Sequence, residues 1–297
     1  MNPWLDAFRP RTLPLAMSGI VVGSGLAAWE KGFRWPVFLL ALLTAVLLQV
    51  LSNLANDLGD HLHGTDNHRR VGPERAVQSG AITPAAMKRA IRSCGMLSLA
   101  SGLTLIIYAL GLSPATLVFL LMGLAAIAAA VRYTYGSHPY GYVGLGDLSV
   151  FVFFGLLGVG GTFFLHVLRF DPVTLLPAAG IGLLATGVLN LNNMRDAVND
   201  AASGKRTVAV RLGPARAKVY HAALVLVGFA SLVVFTAVSF RSWWQYLFVV
   251  TFPFFDRHLR TVLKNREPRD LDPQLKVLAL STLVGALLFS LGLVLAT

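Results

Sequence analysis

Long apolar runs, separated by short polar segments, dominate the chain. Nine runs of about twenty residues follow one another, and this is the length of helix that crosses a hydrocarbon core roughly 30 Å thick. The pattern predicts an all-α, polytopic membrane protein with nine transmembrane helices, near residues 12–29, 36–56, 90–110, 114–131, 147–168, 173–193, 218–238, 243–260 and 275–296. The eighth run contains Pro253 and ends at Asp256 and Arg257, which predicts a kinked or shortened helix.

The basic residues are distributed unevenly between the two sides that nine alternating spans define. With a cytoplasmic N-terminus, all but four of the 25 Lys and Arg residues fall on the cytoplasmic side. Cytoplasmic loops of membrane proteins carry such an excess. We therefore predict a multi-pass protein of the inner (cytoplasmic) membrane with its N-terminus in the cytoplasm. The long connections, about 57–89, 132–146 and 194–217, lie on that side, so we expect a central cavity that opens there.

Composition excludes several classes of function. Apolar residues make up 55% of the chain and charged residues 13%, whereas soluble domains carry roughly 25% charged residues. The excess of basic residues on the cytoplasmic side, next to the anionic lipid of the inner leaflet, accounts for most of the net charge of +11. We expect no nucleic acid as a partner because no soluble basic domain is present. The single cysteine, Cys94, excludes an internal disulfide. We predict one transmembrane domain over residues 1–297, surrounded by membrane lipid and without an obligate protein partner.

Two polar stripes close the second and sixth predicted helices at the membrane boundary. Residues three and four positions apart share a helix face. The stripe of the second helix consists of Asn53, Asn56, Asp57 and Asp60, and that of the sixth helix consists of Asn193, Asp196 and Asp200. They align with each other at an offset of 140 residues, which suggests an internal pseudo-repeat of about 12–131 and 147–296 whose halves present acidic ends to one cavity.

The chemistry of carboxylates explains why two such stripes would face each other. A carboxylate near hydrocarbon is costly unless it is paired or bound to a cation. Mg²⁺ prefers oxygen ligands, typically one or two carboxylates with phosphate oxygens and water. Two facing stripes therefore predict a magnesium clamp for a diphosphate. Basic residues that follow the stripes would complete it: Arg69, Arg70 and Arg75 after the first, and Arg195, Lys205 and Arg206 around the second.

A diphosphate held in this way is a leaving group, and the departure of an allylic chain would leave a carbocation. Aromatic faces stabilise such cations, and the third long connection offers Tyr133, Tyr135, Tyr140 and Tyr142, followed by Phe151, Phe153 and Phe154. Interfacial anchoring is the competing role for these rings. Asp147 begins an apolar span and could order the pocket, pair with Arg132 or accept a proton from the acceptor. Arg9, before the first helix, could bind a substrate carboxylate.

Four segments of the chain carry a resemblance to a known family: Arg9 to Pro14, Asn56 to Asp66, Gly72 to Gly80, and Asn192 to Gly213 with its Gly204-Lys205-Arg206-Thr207 core. The chain resembles the UbiA superfamily of intramembrane prenyltransferases over nearly the full length of the chain. Within that superfamily the similarity is closest to the enzymes of menaquinone synthesis that prenylate 1,4-dihydroxy-2-naphthoate. The resemblance implies nine helices, two Asp-rich motifs on cytoplasmic loops, and transfer of a polyprenyl chain from polyprenyl diphosphate to that ring with loss of CO₂ and diphosphate.

The resemblance also implies roles for individual residues. Asp57, Asp60, Asp196 and Asp200 would hold Mg²⁺, and Arg75, Arg195, Lys205 and Arg206 would bind diphosphate. The chain departs from the family pattern, which ends each motif with a third Asp, because Gly64 and Gly204 stand at those positions. Asp66 could replace the first of these acids as a metal ligand.

Three classes of function remain open from the residues alone. A CDP-alcohol phosphatidyltransferase would need one contiguous Asp-rich stretch, whereas this chain has two separate ones. A transporter would place its polar residues near the membrane midplane, whereas these lie at helix ends. An aromatic prenyltransferase fits best, and 4-hydroxybenzoate or a porphyrin remains an alternative acceptor because the shape of the pocket decides that choice.

Overall fold

All secondary structure that the computed structural model describes, over residues 2–67 and 70–297, is helical. Arg69, one of the predicted phosphate ligands, lies outside the described residues. The helices are α1 (Pro3–Phe8), α2 (Leu13–Trp29), α3 (Trp35–Leu62), α4 (Pro84–Leu110), α5 (Pro114–Arg132), α6 (Gly146–Val167), α7 (Pro172–Ala202), α8 (Val208–Val238), α9 (243–264) and α10 (Pro268–Leu295).

Eight helical segments of the described chain are long and apolar enough to cross a membrane, so the prediction of an all-α, multi-span membrane protein is confirmed. The eighth predicted span, near residues 243–260, corresponds to α9, which is not among those eight segments. It consists of a 3₁₀ segment, Trp243–Thr251, and an α-helix, Phe252–Lys264, with Pro253 at the junction. Asp256, Arg257 and Arg260 make its second half polar. The exact count of nine crossings therefore stays a prediction.

Small residues place α2 in the centre of the bundle. A Cβ atom added to Gly19 would lie 2.7 Å from the Phe154 carbonyl oxygen, and one added to Gly23 would lie 2.5 Å from that of Val159, both in α6. On the other face, Gly25 packs in the same way against Ser290 of α10. Small side chains let membrane helices approach closely. This explains why most residues of α2 are buried inside the protein.

Most of the hydrophobic core lies in two groups of helices. The larger cluster of buried side chains joins α2 with α6–α10, and a second cluster joins α3, α4 and the segment 76–82. A small third cluster, with residues of α2, α3, α4 and α6, connects the two groups. Residues Phe151–Gly161 of α6 form a π-helical stretch, and π-helical turns are frequent at functional sites. A cavity lies between the two groups, and this stretch of α6 forms one of its walls.

Candidate active site

The carboxyl-terminal ends of α3 and α7, which carry the two polar stripes, are linked to each other by side chains. Lys205 lies between them, with its Nζ atom 3.7 Å from Asp60 Oδ1 and 3.8 Å from Asp200 Oδ1. The Asn199 amide forms a second link, because its Nδ2 donates a 2.7 Å hydrogen bond to the Thr65 carbonyl oxygen. Two stripes that are far apart in the chain therefore meet at one site.

Arg75 is the centre of the first motif. Its NH1 atom lies 2.8 Å from Asp60 Oδ2, and its Nε atom lies 3.3 Å from Asp66 Oδ2. The neighbouring Arg70 pairs with Asp66 at 3.0 Å and reaches Asp196 of the second motif at 4.0 Å. Two guanidinium groups thus compensate carboxylates from both motifs in a buried setting.

The pKa values of these loop groups are displaced by burial and by one another. Burial alone would lower the pKa of Arg75, but the carboxylates of Asp60 and Asp66 outweigh it and raise that pKa. Burial lowers the pKa of Arg70 to about 10, and the positive charge of Arg75 adds to this effect. Burial raises the pKa of Asp66 although both guanidinium groups oppose it. Both arginines therefore stay charged at neutral pH and can bind an anion.

Asn53 and Asn56 hold neighbouring segments in place. The Asn53 Nδ2 atom donates to the Phe8 carbonyl oxygen at 2.9 Å, which ties α1 to α3. The Asn56 Oδ1 atom accepts a 3.0 Å hydrogen bond from the Thr134 hydroxyl, at the start of the third long connection. Both asparagines also line the cavity, where we predicted substrate contacts.

Asp57 differs from its neighbour Asp60 in what it contacts. Its two carboxylate oxygens accept hydrogen bonds from the backbone N–H groups of Ala76, at 3.3 Å, and Val77, at 3.2 Å. The cavity wall includes Asp60 but not Asp57. We predicted both as magnesium ligands. In the structure, Asp57 instead holds the segment that carries Arg75 in place.

Arg195 is enclosed by protein groups instead of facing the cavity as predicted. It donates to Asp196 from Nε at 2.9 Å and from NH2 at 2.7 Å, pairs with Asp272, and donates to Asn192 Oδ1 at 2.9 Å. A Cβ atom on Gly72 would lie 2.6 Å from its NH2 atom. These contacts make it a positioning residue for Asp196. Asp272 was not among the predicted site residues, although, like Asp147, it is an acid at the start of an apolar span.

Three oxygen atoms of the second motif are buried without a hydrogen-bond partner in the described part of the chain. They are Asp200 Oδ2, Asn193 Oδ1 and Asn199 Oδ1. Asn193 and Asp200 are seven residues apart, so they share a face of α7. Buried polar atoms in proteins are normally satisfied, and carboxylate and amide oxygens are ligands that suit Mg²⁺. Asn199 was not among the predicted site residues.

The acids do not form a ready-made metal cage. Among the described residues, no three His, Cys, Asp or Glu side chains are close enough to bind one metal ion together. The cations Arg75 and Lys205 lie between the carboxylates instead. This arrangement fits Mg²⁺ chemistry, because magnesium sites in proteins often use one or two carboxylates and take their other ligands from substrate phosphates and water.

The third long connection brings tyrosines to the site. The Tyr142 hydroxyl donates to Asp60 Oδ1 at 3.0 Å, and the Lys205 ammonium lies 5.3 Å from the centre of its ring. Tyr133 and Tyr140 line the cavity with their rings edge to face, 5.4 Å apart. Burial, together with the charge of Asp147, raises the pKa of Tyr133, and burial likewise raises that of Tyr142. These phenols therefore stay neutral at physiological pH.

Three predicted site residues do not line the cavity. Asp147 is buried beside α8 and accepts a 3.0 Å hydrogen bond from the Tyr220 hydroxyl. Of the three roles considered for it, pairing with Arg132 is therefore not seen in the structure. Arg132 is the last residue of α5 and is exposed. Arg206 is also exposed, and only its backbone N–H approaches the site, at 2.8 Å from the Tyr142 carbonyl oxygen. Neither exposed arginine is placed to bind a substrate in the cavity.

The cavity has a volume of about 330 Å³, with one polar end and long apolar walls. Asp60, Arg75 and Lys205 form the polar end, together with Arg9. The walls continue along α3 as far as Ala41, which is a distance of about 28 Å at roughly 1.5 Å per helical residue. This shape suits a ligand with an anionic head and a long hydrocarbon chain. Aromatic side chains from the other elements also line the cavity: Tyr133, Tyr140, Phe153 and Phe154.

Comparison with known proteins agrees with this geometry. The family model for the UbiA prenyltransferase family matches residues 16–283. The 1,4-dihydroxy-2-naphthoate octaprenyltransferase of Haemophilus influenzae is 46% identical over 295 residues, which cover 99% of this chain and 96% of that protein.

Two solved structures share the fold. An apo UbiA homolog from Aeropyrum pernix has a TM-score of 0.70 at 15% identity, covering 91% of this chain and 94% of that one. A UbiA homolog from Archaeoglobus fulgidus, bound to DMAPP and Mg²⁺, has a TM-score of 0.57 at 18% identity, covering 97% and 99%. The chain belongs to the UbiA prenyltransferase family.

Proposed function

We propose that this protein transfers a polyprenyl chain from polyprenyl diphosphate to 1,4-dihydroxy-2-naphthoate, with loss of CO₂ and diphosphate, in menaquinone biosynthesis. The observation that carries the proposal is Lys205, which lies between acids of the two motifs at the polar end of an apolar cavity. The name of the Haemophilus influenzae relative supports the choice of acceptor.

Arg75 and Lys205 are the residues best placed to bind the diphosphate. Both line the cavity, and both are positive groups that form ion pairs with carboxylates. An incoming anion would bind to the same positive groups. Guanidinium binds phosphate oxygens in a fork, and ammonium acts as a compact charge. Arg70 lies behind them, between Asp66 and Asp196, and adds positive charge to the same end of the cavity.

Mg²⁺ is the cofactor that we propose for the acidic residues. The residues that fit it are Asp60 and Asp200, with the unpartnered amide oxygens of Asn193 and Asn199. Asp196, which Arg195 holds by both carboxylate oxygens, would add negative charge beside them. Asp66 and Asp57 support these through Arg75 and the segment after it. The bound ion would neutralise negative charge on the departing diphosphate. The complex of the Archaeoglobus fulgidus homolog with DMAPP and Mg²⁺ supports the assignment.

The aromatic wall next to the polar end would stabilise the allylic cation. The rings of Tyr133 and Tyr140 are held in place, because the Tyr140 hydroxyl donates to the Ala129 carbonyl oxygen at 2.9 Å. Electron-rich faces stabilise cations by about 0.5–2 kcal/mol each. The apolar walls exclude water, so attack by the naphthoate ring at its carboxylated carbon would compete well with hydrolysis. Loss of CO₂ then restores aromaticity.

Arg9 is the residue that we propose for the acceptor carboxylate. It lines the cavity, and its backbone has φ of 49°, a left-handed conformation between α1 and the next turn. Its NH2 atom is buried without a hydrogen-bond partner in the described part of the chain. A buried, unsatisfied guanidinium nitrogen beside the reactive end of the cavity suits a carboxylate-bearing ring.

Replacing Arg9 by Gln is expected to raise the KM for 1,4-dihydroxy-2-naphthoate by roughly ten- to a hundredfold, because a charge-assisted hydrogen bond is lost. The KM for prenyl diphosphate should stay within about twofold. Steady-state kinetics with each substrate varied in turn would measure both constants. Equal increases in the two KM values would assign Arg9 to the diphosphate or to the fold instead.

The charge asymmetry supports a location in the inner membrane, with the N-terminus and the site at the cytoplasmic side. Much of the site is built from the long connections, and all but four of the 25 Lys and Arg residues fall on the same predicted side of the membrane. The internal pseudo-repeat stays a prediction. The meeting of Asp60 with Asp200, through Lys205, is what two related halves facing one cavity would produce.

A radiolabel assay tests the proposed function directly. Purified protein would be incubated with a long-chain polyprenyl diphosphate, 1,4-dihydroxy-2-naphthoate and Mg²⁺, beside a matched reaction in EDTA and one with 4-hydroxybenzoate. We expect a prenylated naphthoquinol that forms only with Mg²⁺. Product in the benzoate reaction alone would reassign the acceptor, and no product from demonstrably folded protein would overturn the activity.

A further inference from the structure

The end of the bundle opposite the candidate site carries a compact basic patch. All but four of the 25 Lys and Arg residues lie toward the motif-bearing end in the predicted topology, and the exceptions are Lys31, Arg34, Arg169 and Arg241. These four come from three separate connections, yet Arg169 and Arg241 both pair with Glu30, which directly precedes Lys31. Lys31, Arg34 and Arg169 line one shallow recess there.

Glu30 compensates only part of this charge. It forms an ion pair with Arg169, and its Oε1 atom lies 3.7 Å from Arg241 NH2. The Arg241 guanidinium also lies over the Trp29 ring, 4.0 Å from its centre. In the described part of the chain, neither Lys31 nor Arg34 forms an ion pair with a carboxylate. The recess therefore keeps an excess of positive charge.

Arg34 is held with its guanidinium at this recess. Its backbone N–H donates to His166 Nδ1 at 3.0 Å, and the His166 Nε2 atom is hydrogen-bonded to the Ser24 hydroxyl at 3.0 Å. The Phe33 ring stacks on the same imidazole, with centroids 5.3 Å apart. One guanidinium nitrogen donates to the Leu165 carbonyl, while Nε is buried and has no hydrogen-bond partner in the described chain. The arginine is thus positioned before any anion arrives.

The rim of the recess has the composition of a membrane interface. Trp35, Phe170 and Trp243 are 65%, 63% and 79% exposed, and each follows a cation of the patch by one or two residues. Exposed Trp and other aromatic side chains at the ends of membrane helices lie at the level of the lipid headgroups. An anion that reaches this recess from the bilayer would therefore arrive with acyl chains beside these rings.

We propose that this recess binds the phosphate of an anionic phospholipid headgroup. Lys31 supplies a point charge and Arg34 a guanidinium without a carboxylate, and these are the two groups that proteins use for phosphate oxygens. The exposed rings favour a lipid over a free anion. The proposal does not depend on the catalytic function, because the recess lies a full membrane helix, about 40 Å at roughly 1.5 Å per residue, from the carboxyl-terminal end of α3.

Native mass spectrometry of delipidated protein, titrated with phosphatidylglycerol, tests the proposal. Its comparison is phosphatidylcholine, which has no net charge. The test variant is K31Q/R34Q, and the matched control is K88Q/R92Q, which removes the same charge from exposed positions on α4. We expect the test variant to retain its first phosphatidylglycerol about tenfold more weakly than the wild type, whereas the control retains it normally. Arg34→Lys, which keeps the charge and loses the fork, should be intermediate.

Several outcomes would overturn the proposal. Equal retention of phosphatidylglycerol by the wild type and by K31Q/R34Q would show that the lipid binds elsewhere. Equal retention of phosphatidylcholine would show that charge is not recognised. Competition by inorganic phosphate at the same concentration as the lipid would identify the ligand as a free anion. A thermal melt of each variant without lipid separates loss of binding from loss of fold, and the single variant Lys31→Gln, at an exposed position, provides a fold-neutral repeat of the test.

Discussion

Replacing Asp200 by Asn is expected to lower kcat by about 10²–10³-fold while the protein stays folded. The carboxylate contacts Lys205 Nζ at 3.8 Å, and its other oxygen is buried without a hydrogen-bond partner in the described chain. Asn keeps the shape and removes the charge that we assign to Mg²⁺. Loss of one electrostatic group at a reacting diphosphate costs roughly this factor. Single-turnover assays at saturating Mg²⁺, beside a thermal melt in detergent, would measure both quantities.

Asp57→Asn is the matched control, because it makes the same chemical change one helical turn from Asp60. Its carboxylate accepts hydrogen bonds from the backbone N–H groups of Ala76 and Val77. The control should therefore lower the Tm, since Asn offers those amides one oxygen in place of two. If Asp200→Asn turned over at the wild-type rate, Asp200 would have no part in the metal site. A lowered Tm in Asp200→Asn, with normal kcat, would make the residue structural.

The membrane fold could be predicted from the sequence because the bilayer sets the length of its helices. Apolar runs of the required length show where helices exist, and positions three and four apart show which residues share a face. The acidic ends of α3 and α7 could also be located from the sequence, since a carboxylate at the edge of the hydrocarbon is costly unless it is paired or bound to a cation. The small residues of α2 pack closely against α6 and α10 instead of facing lipid.

The roles of single residues within the stripes were less predictable, because they depend on partners far away in the chain. Asp57 and Asp60 share one face of α3, yet the Asp57 carboxylate accepts hydrogen bonds from the backbone of the segment directly after Arg75. The sequence predicted Arg195 as a phosphate ligand, but in the structure it pairs with Asp272, in the first turns of α10. The exposure of Arg132 follows from its place as the last residue of α5. Helical periodicity describes one helix and says nothing of what packs against it.

Replacing Lys205 by Met is expected to change the two ligands in opposite directions. The ammonium lies within 4 Å of Asp60 and Asp200 and holds them together by its charge. Without it, the two carboxylates would attract a divalent cation more strongly, so half-saturation by Mg²⁺ should occur at a several-fold lower concentration. The diphosphate loses a positive partner, so its KM should rise by about tenfold or more. Initial rates over a matrix of Mg²⁺ and prenyl diphosphate concentrations would measure both constants.

The opposite signs are what make this prediction specific. A variant that merely loosens the site would weaken both ligands together, and that result would reduce Lys205 to a structural link between the motifs. Arg206→Gln, at the next residue, is the comparison, because that side chain is exposed and should change either constant by less than about twofold. If Arg206→Gln had the larger effect, the exposed arginine would have to turn into the cavity when substrate binds. The pair of variants therefore decides which of two adjacent cations meets the diphosphate, a question that the sequence alone left open.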